Sequence, residues 1–189
     1  MTPPFRNPTQ PVGGKLLVGL YGRARVGKDT AAAFLEDRHL LQQFAFANPL
    51  KDMLTSVFGD LFYDGDREKP IEWLGKSPRQ LMQTLGTEWG RQCVHPDLWV
   101  LLAHQEWLAC QRNLSKGMVV SDVRFDNEAR WIKEQGGVLI EIRRREAEKV
   151  SAHLSEVGIL HRVDHVIRND GTIDDLYAAL DEVMNCLRT

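Results

Sequence analysis

One stretch, Gly22-Arg23-Ala24-Arg25-Val26-Gly27-Lys28-Asp29-Thr30, constrains the fold of this chain more than any other. It has the spacing G-x-x-x-x-G-K, with Asp29 where serine or threonine usually follows the lysine and Thr30 one place later. An apolar run, Leu16-Leu17-Val18-Gly19-Leu20, precedes it, and Thr30-Ala31-Ala32-Ala33-Phe34-Leu35-Glu36 reads as the opening turns of a helix. A strand, a glycine loop and a helix in that order turn backbone N–H groups and a helix N-terminus toward one point, which suits a polyphosphate. Lys28 then bridges the outer phosphates.

The rest of the chain repeats the same alternation. Apolar runs bounded by turn residues lie between helical patterns, the mark of a parallel sheet with crossover helices. Strands are expected at Lys15–Leu20, Gln42–Phe46, Gly117–Ser121, Val138–Ile142 and His165–Arg168. Helices are expected to begin at Lys28, Pro49, Ser77, Pro96, Phe125 and Thr172, several with proline at the first helical position or a hydroxyl cap. The fold class is α/β, a three-layer sandwich of about five parallel strands with helices on both faces.

Residues 1–14, with four prolines and two glycines, read as a disordered lead-in, and 15–189 as one domain. Two stretches fall outside the sheet scheme. Asp60–Lys76 is polar and looks like a loop or flap, part of a region of about 60–95 that would serve the acceptor. The charged segment of about 143–162 looks like a short lid.

A net charge of −2 weighs against a nucleic-acid partner. Cys93, Cys110 and Cys186 are odd in number and too far apart for metal-ligand pairs, which points to free thiols in a reducing compartment. No apolar run approaches the roughly 20 residues of a membrane span. The chain therefore reads as a soluble cytoplasmic protein. His161 and His165 have a spacing that can suit a metal, but no carboxylate pattern completes a site.

A phosphate loop alone says only that phosphates are bound. Arginines are more telling: Arg23 and Arg25 lie in the loop, Arg79 and Arg91 bracket the third helix, Arg124 follows the third strand, and Arg143-Arg144-Arg145 follows the fourth. Residues just past strand C-termini line the ligand crevice of such sheets. Phosphoryl transfer needs this arrangement, because negative charge spreads over the moving group and both flanking phosphates.

Five segments in order carry a resemblance: Gly22–Thr30, Arg79-Gln80-Leu81-Met82-Gln83-Thr84-Leu85-Gly86-Thr87-Glu88, Ser121-Asp122-Val123-Arg124-Phe125-Asp126-Asn127-Glu128, His153-Leu154-Ser155-Glu156 and Ile167-Arg168-Asn169-Asp170-Gly171. From about Lys15 to the C-terminus the chain resembles the phage-type deoxynucleoside monophosphate kinases, which belong to the P-loop kinases. The resemblance implies ATP- and Mg²⁺-dependent transfer of a γ-phosphoryl group to a deoxynucleoside 5′-monophosphate, in the host cytoplasm if the gene is a phage's. Asp60–Lys76 is short where some relatives carry a large insertion, so base preference does not carry over.

Within that frame each residue has an expected role. Gly22, Arg23, Ala24, Arg25, Val26, Gly27, Lys28, Asp29 and Thr30 bind ATP, with Lys28 on the β- and γ-phosphates. Asp29 and Asp122 hold Mg²⁺ through water, although Asp29 also serves as favourable charge at a helix N-terminus and Asp122 as a cap or a brace for Arg124. A nucleoside monophosphate is largely a dianion at pH 7, so Asp122 is not needed as a base. Arg124 and Arg79 clamp the acceptor phosphate in bidentate forks, with Arg91 a further candidate and Gln83 on the nucleobase. Arg143 reaches over the phosphates, and Asn169 and Gly171 sit in a turn that can present backbone groups to adenine. Trp89, Trp99 and Phe125 are core residues or flank the base. The apolar helix Pro96–Arg112 leaves room for a homodimer contact. Other readings stay open: a P-loop kinase for an alcohol such as dephospho-coenzyme A or for a phosphorylated metabolite, and a nucleotide-binding regulatory protein without catalysis.

Overall fold

The computed structural model describes residues 14–62, 66–145 and 159–187. The expected N-terminal tail, His153, Glu156 and most of the charged segment lie outside these residues.

Five strands form one parallel sheet: β1 (Leu16–Tyr21), β2 (Leu41–Phe44), β3 (Gly117–Val123), β4 (Val138–Arg143) and β5 (His165–Arg168). Their order is β2-β3-β1-β4-β5, so β1 lies at the centre and the loop that follows it opens in the middle of the sheet's carboxyl edge. Alternation along β1 sorts its side chains between two faces. Val18 and Leu20 pack with Ile140, Ile142 and Ile167 against α1 (Lys28–His39) and α6 (Ile173–Cys186), which contribute Ala31, Ala32, Leu35, Leu176, Leu180 and Met184. Burying each such Leu or Ile contributes on the order of 1.5–3 kcal/mol. Gly19 faces the other side, where α5 (Asp126–Glu134) brings Ile132 so near that a Cβ at 19 would lie 2.5 Å from Ile132 Cδ1. A strand glycine here permits close packing of helix on sheet.

Phe46–His104 form a second compact unit. It holds α2 (Asn48–Phe58), a 3₁₀ turn at Asp60–Phe62, a bridge between Ile71 and Lys76, α3 (Pro78–Gln83) and the first part of α4 (Leu98–Cys110). Ser77 caps α3 reciprocally: its Oγ accepts the Gln80 N–H at 3.3 Å, and its N–H donates to Gln80 Oε1 at 3.0 Å. The helix does not continue as the ordinary helix expected through Arg91. From Thr84 to Val94 it is wound as a π-helix, closed by the His95 N–H on the Gly90 carbonyl at 3.0 Å. Trp99, 2% exposed, fits against this winding and donates Nε1–H to the Gly86 carbonyl at 2.8 Å.

The other departures are at element ends. β2 starts and stops earlier than Gln42–Phe46, and β3 runs two residues past Ser121. α4 starts at Leu98 instead of Pro96, because His95 Nδ1 accepts the Asp97 N–H at 3.1 Å and makes a turn of the preceding residues.

Candidate active site

Steric rules explain the shape of the loop after β1. Gly22 and Gly27 have φ of 144° and 101°, values open to glycine, and exposed Arg25 takes the left-handed region at 63°. α1 then starts at Lys28, with the Ala31 N–H on the Gly27 carbonyl at 2.9 Å. The Lys28 ammonium folds back over the loop, donating to the carbonyls of Gly22 at 2.7 Å and Arg23 at 2.8 Å. Arg23, Ala24, Arg25 and Asp29 are exposed, Thr30 is half-buried and Val26 is buried.

The turn after β5, expected to face adenine, makes contacts of its own. Asn169 is buried, its Nδ2 donates to the Val26 carbonyl at 2.8 Å, and its N–H donates to the Arg143 carbonyl at 2.8 Å. Gly171 leads into a cap: Asp175 Oδ2 accepts the Thr172 N–H and hydroxyl, both at 2.8 Å, and the Asp175 N–H returns to Thr172 Oγ1 at 3.2 Å. The Thr172 backbone N–H, then its hydroxyl, hold the Asp175 carboxyl below its ordinary range.

At the end of β3 the register with β1 slips. Gly19 pairs with Val120 but Tyr21 pairs with Val123, so β3 carries one extra residue across Ser121 and Asp122. Such bulges re-aim side chains next to active sites. Ser121 stays buried, with its hydroxyl directed at the Phe44 carbonyl (3.4 Å), while Asp122 is half-buried and Arg124 exposed. Glu128, 1% exposed, accepts the backbone N–H groups of Arg124 and Phe125 through Oε2 at 2.8 and 3.0 Å. Its role was not read from the sequence; the signal was a glutamate at the third position of the helix expected from Phe125.

At the end of β4, Arg143 pairs with Glu141 at 2.7 Å, and beyond it Arg145 donates its N–H to Asp170 Oδ1 at 2.8 Å. Arg143, Arg145, Arg168 and Asp170 line a cavity of about 230 Å³. Asp126, at the start of α5, lies 2.7 Å from His161 Nδ1 and accepts the Leu160 N–H at 3.0 Å. The His161 hydrogen bond holds the Asp126 carboxyl below 3.8.

Lys28, Asp122, Arg124, Arg143 and Asn169 thus gather at the carboxyl ends of β1, β3, β4 and β5, the edge where such sheets bind ligands. Arg79, Gln83 and Arg91 belong to the second unit. There Arg79 pairs with Glu68 at 2.6 Å, Gln83 is exposed, and Arg91 is half-buried within the π-helix. Trp99 is core, whereas Trp89 and Phe125 are 42% and 37% exposed.

Residues 71–180 match the family profile described as deoxynucleotide monophosphate kinase. A putative deoxynucleotide monophosphate kinase of Acanthamoeba polyphaga mimivirus is 32% identical over 188 residues, covering 91% of this chain and 96% of that one. This chain belongs to the deoxynucleotide monophosphate kinase family. The deoxynucleotide monophosphate kinase of Enterobacteria phage T4 is 23% identical across 90% of this chain and 99% of its own. The deoxynucleoside-5′-monophosphate kinase of Escherichia phage T5 is 24% identical across 63% and 72%.

Among solved structures, shikimate kinase from Aquifex aeolicus superposes with a TM-score of 0.55 at 12% identity, over 92% of this chain and 96% of that one. A putative kinase from Chloroflexus aurantiacus gives 0.53 at 12% identity, over 93% and 97%. What these two share with the chain is the P-loop kinase fold, as the sequence led us to expect. A deoxynucleotide monophosphate kinase is a phosphotransferase, and a kinase of this family implies ATP as the donor. No helix among the described residues is long and apolar enough to cross a membrane.

Proposed function

We propose that this chain transfers the γ-phosphoryl group of Mg-ATP to a deoxynucleoside 5′-monophosphate through the residues gathered at the carboxyl edge of its sheet. The observation that carries the reading is the Lys28 ammonium, held over a left-handed glycine loop at the start of α1.

An oxygen of the acceptor phosphate attacks Pγ, the bond from Pγ to the bridging oxygen breaks, and ADP leaves. The acceptor is already a dianion, so no proton has to be removed first. The task of the protein is then to orient two anions and to meet the charge that spreads during transfer. The N–H groups from Arg25 to Thr30 and Lys28 hold the donor phosphates. Arg143, the last residue of β4, is the candidate to meet the spreading charge. Arg124 grips the acceptor phosphate with its fork of donors, and guanidinium chemistry together with the resemblance assigns the same task to Arg79 and Arg91, with Gln83 on the base.

Asp122 and Asp29 offer hard oxygen donors of the kind Mg²⁺ takes, and the β3 bulge at Asp122 supports that assignment. When bound there, the ion would neutralise charge on the donor phosphates. A homodimer, if formed, would use Leu102 and Leu108, both 38% exposed on α4. The three cysteines are free thiols, which suits a reducing cytoplasm.

The test is an ADP-release assay with Mg-ATP against dAMP, dCMP, dGMP, dTMP and the matching ribonucleotides. Turnover on deoxynucleotides that Lys28→Ala abolishes supports the reading. Lys28-dependent ATP binding with no turnover on any monophosphate overturns it. Omitting Mg²⁺ tests the metal, and sedimentation velocity tests the dimer.

A further inference from the structure

We infer that Asn169 is a positioning residue for the phosphate loop, acting through the Val26–Gly27 peptide and not on the base of the nucleotide. The inference rests on Gly22–Thr30 being the donor phosphate site. It concerns a residue 143 positions away in sequence, on the turn after β5.

The geometry is specific. Asn169 is buried, and its Nδ2 lies 2.8 Å from the Val26 carbonyl oxygen. Only the nitrogen end of a primary amide can donate to a carbonyl, so the partner fixes which way the amide faces. In a planar trans peptide the C=O and the following N–H point in opposite directions. Holding the Val26 carbonyl toward Asn169 therefore turns the Gly27 N–H away from Asn169. Gly27 N–H is the last backbone donor before the helix, and the loop's affinity for phosphate depends on where such donors point.

One further contact and one steric limit tie Asn169 to the loop. The N–H of Asn169 is bonded to the Arg143 carbonyl at 2.8 Å, so the residue is anchored to the end of β4 while it holds the loop. At Gly27 a Cβ would come within 2.5 Å of Asn169 Nδ2, and φ there is 101°. The second glycine of the loop is thus required by its own backbone and also by the asparagine packed against it. One amide N–H is engaged with the loop, and that bond sets the orientation of the whole side chain.

Asn169→Asp keeps the size of the side chain but replaces the donor with an acceptor facing the Val26 carbonyl. Asn169→Ala removes the contact without introducing charge. For both variants and the wild type we would measure Kd for ATP and for inorganic tripolyphosphate by calorimetry, with near-ultraviolet circular dichroism to confirm folding. Tripolyphosphate carries the phosphates without a base. The expected result is a parallel loss for both ligands, about tenfold or more, since a buried carbonyl loses its partner. Weakening confined to ATP would mean that Asn169 touches the nucleoside, and unchanged binding of both ligands would mean a role in stability alone; either overturns the inference. If the wild type binds neither ligand in a Lys28-dependent way, the reading of the loop itself fails, and the inference falls with it.

Discussion

Glu128 Oε2 lies 2.8 Å from the backbone nitrogen of Arg124, so a carboxylate buried in the first turn of α5 holds the exposed arginine that follows β3. The same oxygen accepts the Phe125 N–H at 3.0 Å. Removing it leaves two N–H groups at the helix start without their acceptor. Glu128→Ala is expected to lose on the order of 1–3 kcal/mol of stability. It should also raise KM for the deoxynucleotide with little change in KM for ATP. Glu128→Gln retains an acceptor oxygen and should recover most of both losses. Thermal melts and steady-state kinetics on the two variants check this; equal KM values in wild type and Glu128→Ala would separate the contact from acceptor binding.

Lys28→Ala deletes the cation that lies over the loop. The expected fall in kcat is about 10²–10³-fold, comparable to losing one preorganised donor to a developing anion. Single-turnover kinetics at saturating ATP would read the effect directly, and a fall in affinity with unchanged kcat would contradict it.

Arg124→Lys retains the charge but replaces a planar fork with a point donor. If Arg124 clamps the acceptor phosphate, KM for the deoxynucleotide rises in this variant. It should rise further in Arg124→Ala, by roughly ten- to a hundredfold, as expected for lost hydrogen bonds to a charged group. Identical KM values across the three proteins would remove Arg124 from the acceptor site.

Asp164 contributes an acid-sensitive part of the fold's stability. Burial pushes its carboxyl up, but the Leu139 N–H at 2.8 Å and the Lys133 ammonium at 2.7 Å outweigh burial and hold it below 3.8. A carboxyl with a depressed folded-state pKa stabilises above its unfolded value, and that contribution disappears as pH falls through the folded one. The melting temperature should therefore drop on acidification below about pH 4. In Asp164→Asn the melting temperature should start lower at pH 7 and fall less steeply with acid; a slope identical to that of the wild type would rule out Asp164 as a contributor.

Gly90→Ala should destabilise the second unit, because a Cβ there would overlap the Trp99 ring. Overpacking of this kind costs about 1–3 kcal/mol. The check is a denaturant midpoint, and a value matching the wild type would show that the ring can shift without cost.

How much of this was legible beforehand depends on how local the cause is. The phosphate loop, the starts of α1, α5 and α6 and all of β5 follow from short-range rules: a glycine spacing, a proline or hydroxyl cap, a β-branched run. The bulge at Ser121–Asp122 did not follow, since register is a relation between two strands and neither alone carries it. The contact of Asn169 with Val26 did not follow for a similar reason. A turn after a strand looks the same in sequence whether its side chain faces a ligand or a carbonyl from the opposite end of the chain. Glu128 stands at the third position of a helix start, but its hold on Arg124 is a three-dimensional relation that spacing alone does not give. The π-winding was hidden because its spacing of residues also suits an ordinary helix.

That winding bears on how the sequence can drift. Between Thr84 and Val94 each closing hydrogen bond spans one residue more than in an α-helix. A shortening there can be absorbed in part by reversion to ordinary winding. Length changes among relatives should therefore collect in this stretch.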